Sequence, residues 1–216
     1  MEENVMNNAM EEPTLKSYRS AAKSALSGHW VNAVLCTLVV TLIVGVCSAL
    51  SGVSENLPLL FVVGFALTLL IAVPLGFGYS VALLRHMHGE PDDDLVTRPF
   101  QAFKDYGRYL GTSLLMTVYV FLWSLLLIVP GIVKGYAYAM TPYIMHEHPE
   151  LSASECIDAS KKMMKGHKWR LFLLDLSFIG WLLLCVLTLG VLTLWVQPWM
   201  ECSHVSFYEQ LKSRQA

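Results

Sequence analysis

The chain has 216 residues, of which 55% are hydrophobic and 15% are charged, and its formal net charge is −2. Soluble domains average about 25% charged residues, and a chain with far fewer lacks the polar surface that would cover an apolar core. The composition therefore excludes a disordered chain and a basic nucleic-acid-binding protein. It predicts a membrane protein, with an acidic, disordered tail over residues 1–13, one helical transmembrane domain over 14–212 and a short tail over 213–216.

The five cysteines form no C-x-x-C pair, so they indicate neither a disulfide framework nor a zinc site. The first apolar run begins near Trp30 and is too long for the core of a secretory signal peptide. We therefore expect this run to be a retained membrane anchor.

Long uncharged runs predict about six transmembrane helices, because a bilayer core about 30 Å thick needs about 20 helical residues. The predicted spans are 30–51, 58–84, 109–130, 132–147, 169–189 and 191–210, arranged as three helical hairpins. Turns are predicted at Pro130–Gly131 and at Leu189–Gly190, where proline disfavours a continuing helix and glycine permits a sharp turn. Four spans with re-entrant segments are the alternative architecture.

The basic residues indicate how such a bundle is oriented. In the six-span interpretation 14 of the 15 Lys and Arg residues fall on one side, and Lys134 alone falls on the other. Positively charged residues stay in the cytoplasm, which predicts that both termini lie inside.

A short amphipathic segment precedes each predicted hairpin, followed by glycine and an interfacial aromatic residue at Gly28, Gly107 and Gly166. The second segment has Phe100, Phe103 and Tyr106 at three-residue spacing, and the third begins with a predicted capping box, Ser152-x-x-Glu155. Such segments lie in the membrane interface with their basic side chains toward anionic lipid; solvated connectors are the alternative. The predicted lipid contacts are Lys16, Arg19, Lys23, Lys161, Lys162, Lys165, Lys168 and Arg170.

Prolines and glycines inside the apolar runs predict kinks. A proline frees a helical carbonyl, which in a membrane helix can line a substrate cavity. Glycine beside proline also lets a second helix approach closely. The residues in question are Pro74, Gly76, Gly78, Pro130, Pro142 and Pro198.

Three ionisable residues within the apolar runs are candidates for a proton or cation site. Asp175 lies about 9 Å past Trp169 along a helix, and Glu201 and His204 share one helical face. The alternative is that Asp175 lies near the interface, paired with Arg170 or Lys168, and that Glu201 and His204 lie near the rim.

No enzyme motif is present, and we expect neither catalysis nor a cofactor. Neither a G-x-S-x-G elbow nor a phosphate-binding or dinucleotide glycine loop occurs. The pairs His86-Met-His88 and His146-Glu-His148 offer metal ligands only at a frayed helix end, because helical residues two apart point away from each other. Loop solvation is the preferred interpretation of these pairs, and Asp92–Asp94 are expected to form a turn and helix cap.

From Ile128 onward the sequence resembles a known family. The segments that carry the resemblance are Val129–Lys134, Met140–Tyr143, His148–Ala153, Met163–Trp169, Leu176–Trp181 and Leu194–Pro198. They resemble the bacterial integral membrane family called "domain of unknown function 975", which is similar to the YciC-like proteins and to the membrane domain of some glycerophosphodiester phosphodiesterases. Trp199 departs from the expected pattern, which has tyrosine there. The resemblance implies a multi-span protein of the bacterial cytoplasmic (inner) membrane, and it offers no agreed activity and no catalytic residues to carry over.

Two functions follow as expectations. The first is a non-catalytic membrane module that binds anionic lipid head groups or a partner, which is a membrane protein or a second copy of the chain. The alternative is a transporter or channel for a small solute or ion that uses Asp175 and Glu201.

Overall fold

The computed structural model describes residues 14–52, 58–90, 95–126 and 128–214, and within these ranges the chain is helical, with no strand. The predicted tail over residues 1–13, the Asp92–Asp94 turn and the last two residues lie outside this description. The helices are α1 (Leu15–Ala25), α2 (Trp30–Gly52), α3 (Pro58–Leu67), α4 (Val73–Met87), α5 (Tyr106–Leu126), α6 (Ile128–Tyr138), α7 (Thr141–Glu147), α8 (Ala153–Met163), α9 (Lys168–Leu176), α10 (Ile179–Leu187) and α11 (Thr193–Ser213). A π-helical turn, Thr68–Ala72, joins α3 to α4, and a 3₁₀ helix, Arg98–Phe103, precedes α5.

Three helical stretches of the described chain are long and apolar enough to cross a membrane: Trp30–Leu50, Phe61–Met87 and Lys168–Leu187. They correspond to the first, second and fifth predicted spans. The other three predicted spans are helical as well, in α5, in α6 with α7, and in α11. That these also cross a bilayer, and that the spans form three hairpins, stay predictions.

Helix α11 is the central helix of the bundle, and it contacts α1, α2, α4, α9 and α10. Its side chains Phe207 and Tyr208 are almost completely buried. The buried Tyr18 of α1 packs on Phe207, with ring centroids 5.3 Å apart. The amphipathic α1 is therefore part of the core, with Lys16 and Lys23 on its exposed side.

The amphipathic segments that precede the three predicted hairpins are called lead-in segments below. The first and the third of them end in the same backbone turn. After α1 the amide of Leu26 donates to Ala22 O, and after α8 the amide of Met164 donates to Ser160 O. Gly28 and Gly166 follow, each with φ of +87°, a left-handed conformation that side chains disfavour. The capping box at Ser152 is confirmed. Gly107 differs, because it lies inside α5.

The second lead-in is a 3₁₀ helix rather than an α-helix. Phe100 and Phe103 stack at 6.5 Å between ring centroids, and Phe103 and Tyr106 stack at 5.8 Å. Residues three apart eclipse each other in a 3₁₀ helix, which explains the three-residue spacing of these rings. This segment packs on α4 at Gly78, where a β-carbon would overlap the carbonyl of Pro99. The predicted close approach at Gly78 is thus present, whereas Gly76 faces open space.

The predicted kink at Pro74 coincides with the π-helical turn that precedes it. Proline has no amide hydrogen, so Pro74 leaves the carbonyl of Leu70 without a donor from the helix. The Tyr106 hydroxyl donates to Leu70 O at 2.9 Å. The carbonyl that the kink frees is therefore occupied by the start of α5.

The predicted turn at Pro130–Gly131 is wrong, because both residues lie in the first turn of α6. Proline is tolerated there, since the first amides of a helix need no helical acceptor. Gly131 instead allows α6 to approach α5, because a β-carbon would overlap Ser124.

The structure also locates the second predicted turn, at Leu189–Gly190, and the prolines Pro142 and Pro198. The turn at Leu189–Gly190 is confirmed by positive φ at both residues. Pro142 is the second residue of α7, after a break that follows Tyr138, whereas Pro198 lies inside α11.

One feature of the predicted topology is wrong. Lys134 of α6 and Lys161 of α8 line the same cavity of about 210 Å³, together with Asp158 and Tyr119. Two residues that share such a cavity cannot lie on opposite sides of a bilayer core about 30 Å thick. Lys134 therefore does not lie apart from the other basic residues, as the six-span interpretation had required.

Candidate functional site

A groove of about 330 Å³ lies between α6 and α9. Its volume falls in the range typical of small-molecule sites. Val129 and Trp169 at its edges are 70% and 67% exposed, so the groove is open to the surroundings. Its lining residues are Val129, Ile132, Val133, Tyr136, Lys168, Trp169 and Phe172.

Helical periodicity forms both walls of this groove. Val129, Ile132, Val133 and Tyr136 recur at spacings of three and four residues, so they share one face of α6. On the other wall Trp169 stacks on Phe172, with ring centroids 5.0 Å apart. The Phe172 ring meets Tyr136 edge-on at 5.9 Å, which closes the floor of the groove.

Among the described residues that line the groove, Lys168 is the only charged one, and it is half-buried at the first position of α9. None of these described lining residues carries a carboxylate. The groove thus combines an apolar surface with one positive charge, which suits an amphipathic anion. Sequence reasoning selected Lys168 as a lipid contact but did not find the groove, because the contact between α6 and α9 has no sequence signature.

The floor of the groove is attached to a polar cluster between α9 and α11. The Tyr136 hydroxyl donates to Asp175 Oδ2 at 2.8 Å, and His204 Nε2 lies 2.5 Å from Asp175 Oδ1. Asp175 and His204 are therefore brought together, as predicted for a polar site. These two contacts of Asp175 are made with Tyr136 and His204, not with the Arg170 or Lys168 of the alternative interpretation.

Glu201 belongs to a different contact. It accepts a hydrogen bond from the hydroxyl of Tyr143 on α7 at 2.9 Å. The three predicted residues therefore divide into an Asp175–His204 pair, which joins α9 to α11, and a Glu201–Tyr143 bond, which joins α11 to α7.

Arg19 contacts protein where sequence reasoning expected lipid. Its guanidinium lies over Phe178 at 4.7 Å and over Trp199 at 4.9 Å, and its Nη1 donates to Ser177 O at 3.2 Å. Trp199 Nε1 in turn donates to Arg19 O at 2.9 Å. These contacts attach α1 to the break between α9 and α10. Arg170 likewise lies 5.8 Å from the centroid of the Tyr18 ring.

The other predicted lipid contacts are exposed lysines. Lys161 forms an ion pair of 2.8 Å with Asp158. Their hydrogen bond lowers the pKa of the Asp158 carboxyl and raises that of the Lys161 ammonium, so both stay charged near neutrality. Among the predicted lipid contacts, the lysines with exposed side chains are Lys16, Lys23, Lys161, Lys162 and Lys165.

The ends of α4, α7 and α11 meet in a second polar group, in which sequence reasoning had considered His88 as a ligand at a frayed helix end but had not placed Glu209 beside it. His88 Nε2 lies 2.8 Å from Glu209 Oε1, and Lys212 Nζ lies 2.7 Å from Glu147 Oε1. Tyr208 donates to the second oxygen of Glu147 at 2.6 Å. The bond to Glu147 raises the pKa of Lys212.

His86 and His88 diverge, as their spacing predicts. His86 Nε2 lies 3.1 Å from Ala25 O, while His88 faces Glu209. Beyond them Arg85 donates to Glu90 at 2.7 Å. This hydrogen bond is the main reason why the pKa of the Glu90 carboxyl lies below its ordinary value.

The fold defines the class of protein. The described residues are all-helical, and three of their helices are long and apolar enough to cross a membrane. Residues 125–215 match the model of the family described as "Protein of unknown function (DUF975)". This match confirms the resemblance in the part of the chain that carries its motifs. The similarity to YciC-like proteins and to the phosphodiesterase membrane domain stays a prediction. No curated protein and no solved structure matches the chain.

Proposed function

We propose that this protein is a non-catalytic membrane module that binds an anionic phospholipid in the groove between α6 and α9. The observation that carries the proposal is an apolar groove of about 330 Å³ in which Lys168 is the only charged residue of the described lining. In this arrangement part of an acyl chain lies along the valine, isoleucine and aromatic walls, and the lipid phosphate lies beside the Lys168 ammonium.

The charge around the groove supports an anionic rather than a zwitterionic lipid. Lys165 and Arg170 flank Lys168 in sequence, and basic residues near a membrane surface each attract anionic lipid by about 1 kcal/mol. Trp169 is 67% exposed next to Lys168, and tryptophan favours the head-group level of a bilayer. The groove mouth therefore suits the interface, with the apolar walls extending toward the acyl chains.

The proposal includes a position for the α5–α6 hairpin. We propose that this hairpin lies at the cytoplasmic membrane face beside α8 and does not cross the bilayer. Two observations support this position: Val129 shares a groove with Lys168, and Lys134 shares a cavity with Lys161. If α5 and α6 crossed the bilayer in opposite directions, the bilayer core would separate Val129 from Lys168 and Lys134 from Lys161. This position corresponds to the alternative with four spans and re-entrant segments.

Native mass spectrometry of the purified full chain tests the lipid site. The protein is extracted, exposed to equal amounts of phosphatidylglycerol and phosphatidylcholine, and the retained lipid is counted. The unmodified chain is expected to retain one phosphatidylglycerol in preference. Lys168→Gln should lower that preference, and Ile132→Trp should lower the retention of both lipids because the larger ring fills the groove.

Lys104→Gln is the matched control, since it removes an exposed lysine away from the groove. It should leave lipid retention unchanged. Equal retention of both lipids by the unmodified chain, or equal loss with Lys104→Gln and Lys168→Gln, would contradict the proposal.

A second candidate function is proton-coupled or cation transport, which the Asp175–His204 pair favours. The pair is partly buried and lies where the helix over residues 168–187 is interrupted, a feature common in transporter sites. Reconstituted vesicles test this candidate. A solute or proton flux that Asp175→Asn abolishes would support it, whereas a flux unaffected by Asp175→Asn and Glu201→Gln would exclude these carboxylates.

A further inference from the structure

Three metal-binding side chains meet where α4, α7 and α11 end, away from the lipid groove. His88 follows the last residue of α4, Glu147 is the last residue of α7, and Glu209 lies in the last turns of α11. One ligand atom from each lies within 4.8 Å of the other two. We propose that His88, Glu147 and Glu209 bind one divalent transition-metal cation of the Zn²⁺ type.

The distances require only a small rearrangement of the three side chains around the ion. Zinc binds histidine nitrogen and carboxylate oxygen at about 2.0–2.2 Å, so the ligand atoms of a tetrahedral site lie about 3.4 Å apart. His88 and Glu209 are already at 2.8 Å. Their side chains are 40% and 36% exposed, so rotation about side-chain bonds can bring the group to zinc geometry without moving a helix.

A cation already lies beside Glu147 in the form of the Lys212 ammonium. Lys212 is 2.7 Å from Glu147, and its side chain is 45% exposed, so it can move into solvent. A divalent ion would neutralise both carboxylates, whereas Lys212 supplies one charge and contacts one of them. Lys212 is therefore a competitor of the metal for Glu147.

The ligand set indicates which metal is preferred. Imidazole suits zinc and other late first-row metals, whereas Mg²⁺ prefers six oxygen ligands and retains its water. One histidine and two carboxylates leave a fourth position for water. Since the three ligands come from three helices that are distant in sequence, the bound ion would join the ends of α4, α7 and α11.

A matched control exists in the same region of the chain. His148 and Glu150 also form a histidine–glutamate pair, at 2.9 Å, with side chains 51% and 64% exposed. This pair does not belong to the three-ligand group of the described residues. Loss of His148 should therefore not affect a site at His88, although it removes a surface histidine of the same kind.

The test is a Zn²⁺ titration of the chelator-treated full chain in detergent, followed by calorimetry and by thermal unfolding. We expect one saturable Zn²⁺ per chain, an upward shift of the unfolding temperature, and no such shift with Mg²⁺. His88→Gln and Glu209→Gln should each weaken binding at least about tenfold, while His148→Gln should leave it unchanged. Lys212→Met should strengthen binding about fivefold to tenfold, because the competing charged hydrogen bond is lost.

The Lys212→Met result separates a metal site from a simple ion-pair network, and it does not depend on a variant that loses a ligand. Stronger Zn²⁺ binding by Lys212→Met supports the site. The proposal is overturned if the unmodified chain shows no saturable binding, if His148→Gln weakens binding as much as His88→Gln does, or if Lys212→Met fails to increase affinity.

Discussion

The first and third lead-in segments share one backbone turn but are followed by different helices. Gly28 leads into α2, which continues unbroken for 23 residues, whereas Gly166 leads into α9, which ends after nine. The two helices also differ at equivalent positions. Cys36 lies six residues after Trp30, and Asp175 lies six residues after Trp169. Cys36 is fully buried among apolar side chains, while Asp175 bonds Tyr136 and His204.

This difference shows that the turn determines how a helix begins but not how it continues. In α2 the buried hydroxyl of Thr37 donates to Ala33 O within the same helix and also bonds the Tyr79 hydroxyl. After α9 the carbonyl of Ser177 accepts a hydrogen bond from Arg19 of α1. The break between α9 and α10 is thus stabilised by contacts with other helices.

The largest expected effect on stability concerns the second lead-in segment. Its position depends on the close approach of the 3₁₀ helix to α4 rather than on a glycine turn. Gly78→Ala would place a β-carbon against the carbonyl of Pro99 and displace the 3₁₀ helix from α4. We expect a loss of about 1–3 kcal/mol in the free energy of unfolding, measured by denaturant titration in micelles. Gly76→Ala is the control, since its β-carbon meets open space. Equal effects of the two substitutions would contradict this packing.

The next effect tests whether the first and third turns are equivalent. Gly28→Ala and Gly166→Ala each force a side chain into a left-handed conformation, which costs about 1–2 kcal/mol. Circular dichroism during thermal unfolding should show similar losses for both. Gly107→Ala, within α5, should instead stabilise the chain by about 0.5–1 kcal/mol. A loss at Gly107 that matched the other two would indicate three equivalent turns.

The smallest effect concerns the carbonyl that Pro74 frees. Tyr106→Phe removes the hydroxyl that donates to Leu70 O and keeps the ring stacked on Phe103. We expect a decrease of about 0.5–1.5 kcal/mol in stability, measured in the same micelles. Tyr119→Phe, on an exposed part of α5, serves as the control and should change stability less. No difference between the two variants would mean that this hydrogen bond does not stabilise the kink.

Local patterns in the sequence predicted most helices and several of their ends. The apolar runs, the Ser152 capping box and the Leu189–Gly190 turn depend on neighbours in the chain, and they are present in the structure. The spacing of Phe100 and Phe103 was informative too, but it indicates 3₁₀ periodicity rather than an amphipathic α-helix.

The features that sequence reasoning missed all depend on how helices pack. Whether Pro130 ends a helix or begins one depends on the approach of Gly131 to Ser124. The placement of Lys134 with Lys161 depends on the path of the α5–α6 hairpin. Arg19 has the charge of a lipid contact, yet the rings of Phe178 and Trp199 are brought to it by α10 and α11. No local pattern encodes these contacts.

Photocrosslinking with a phosphatidylglycerol that carries a diazirine on its acyl chain tests the central claim most directly. The lipid is incorporated with the full chain, activated by light, and the labelled peptides are identified by mass spectrometry. The groove model predicts adducts concentrated on α6 and α9, at residues such as Ile132 and Phe172, and their loss in Lys168→Gln. Adducts spread equally over exposed apolar residues elsewhere, such as Phe61 and Val62 of α3, would contradict it.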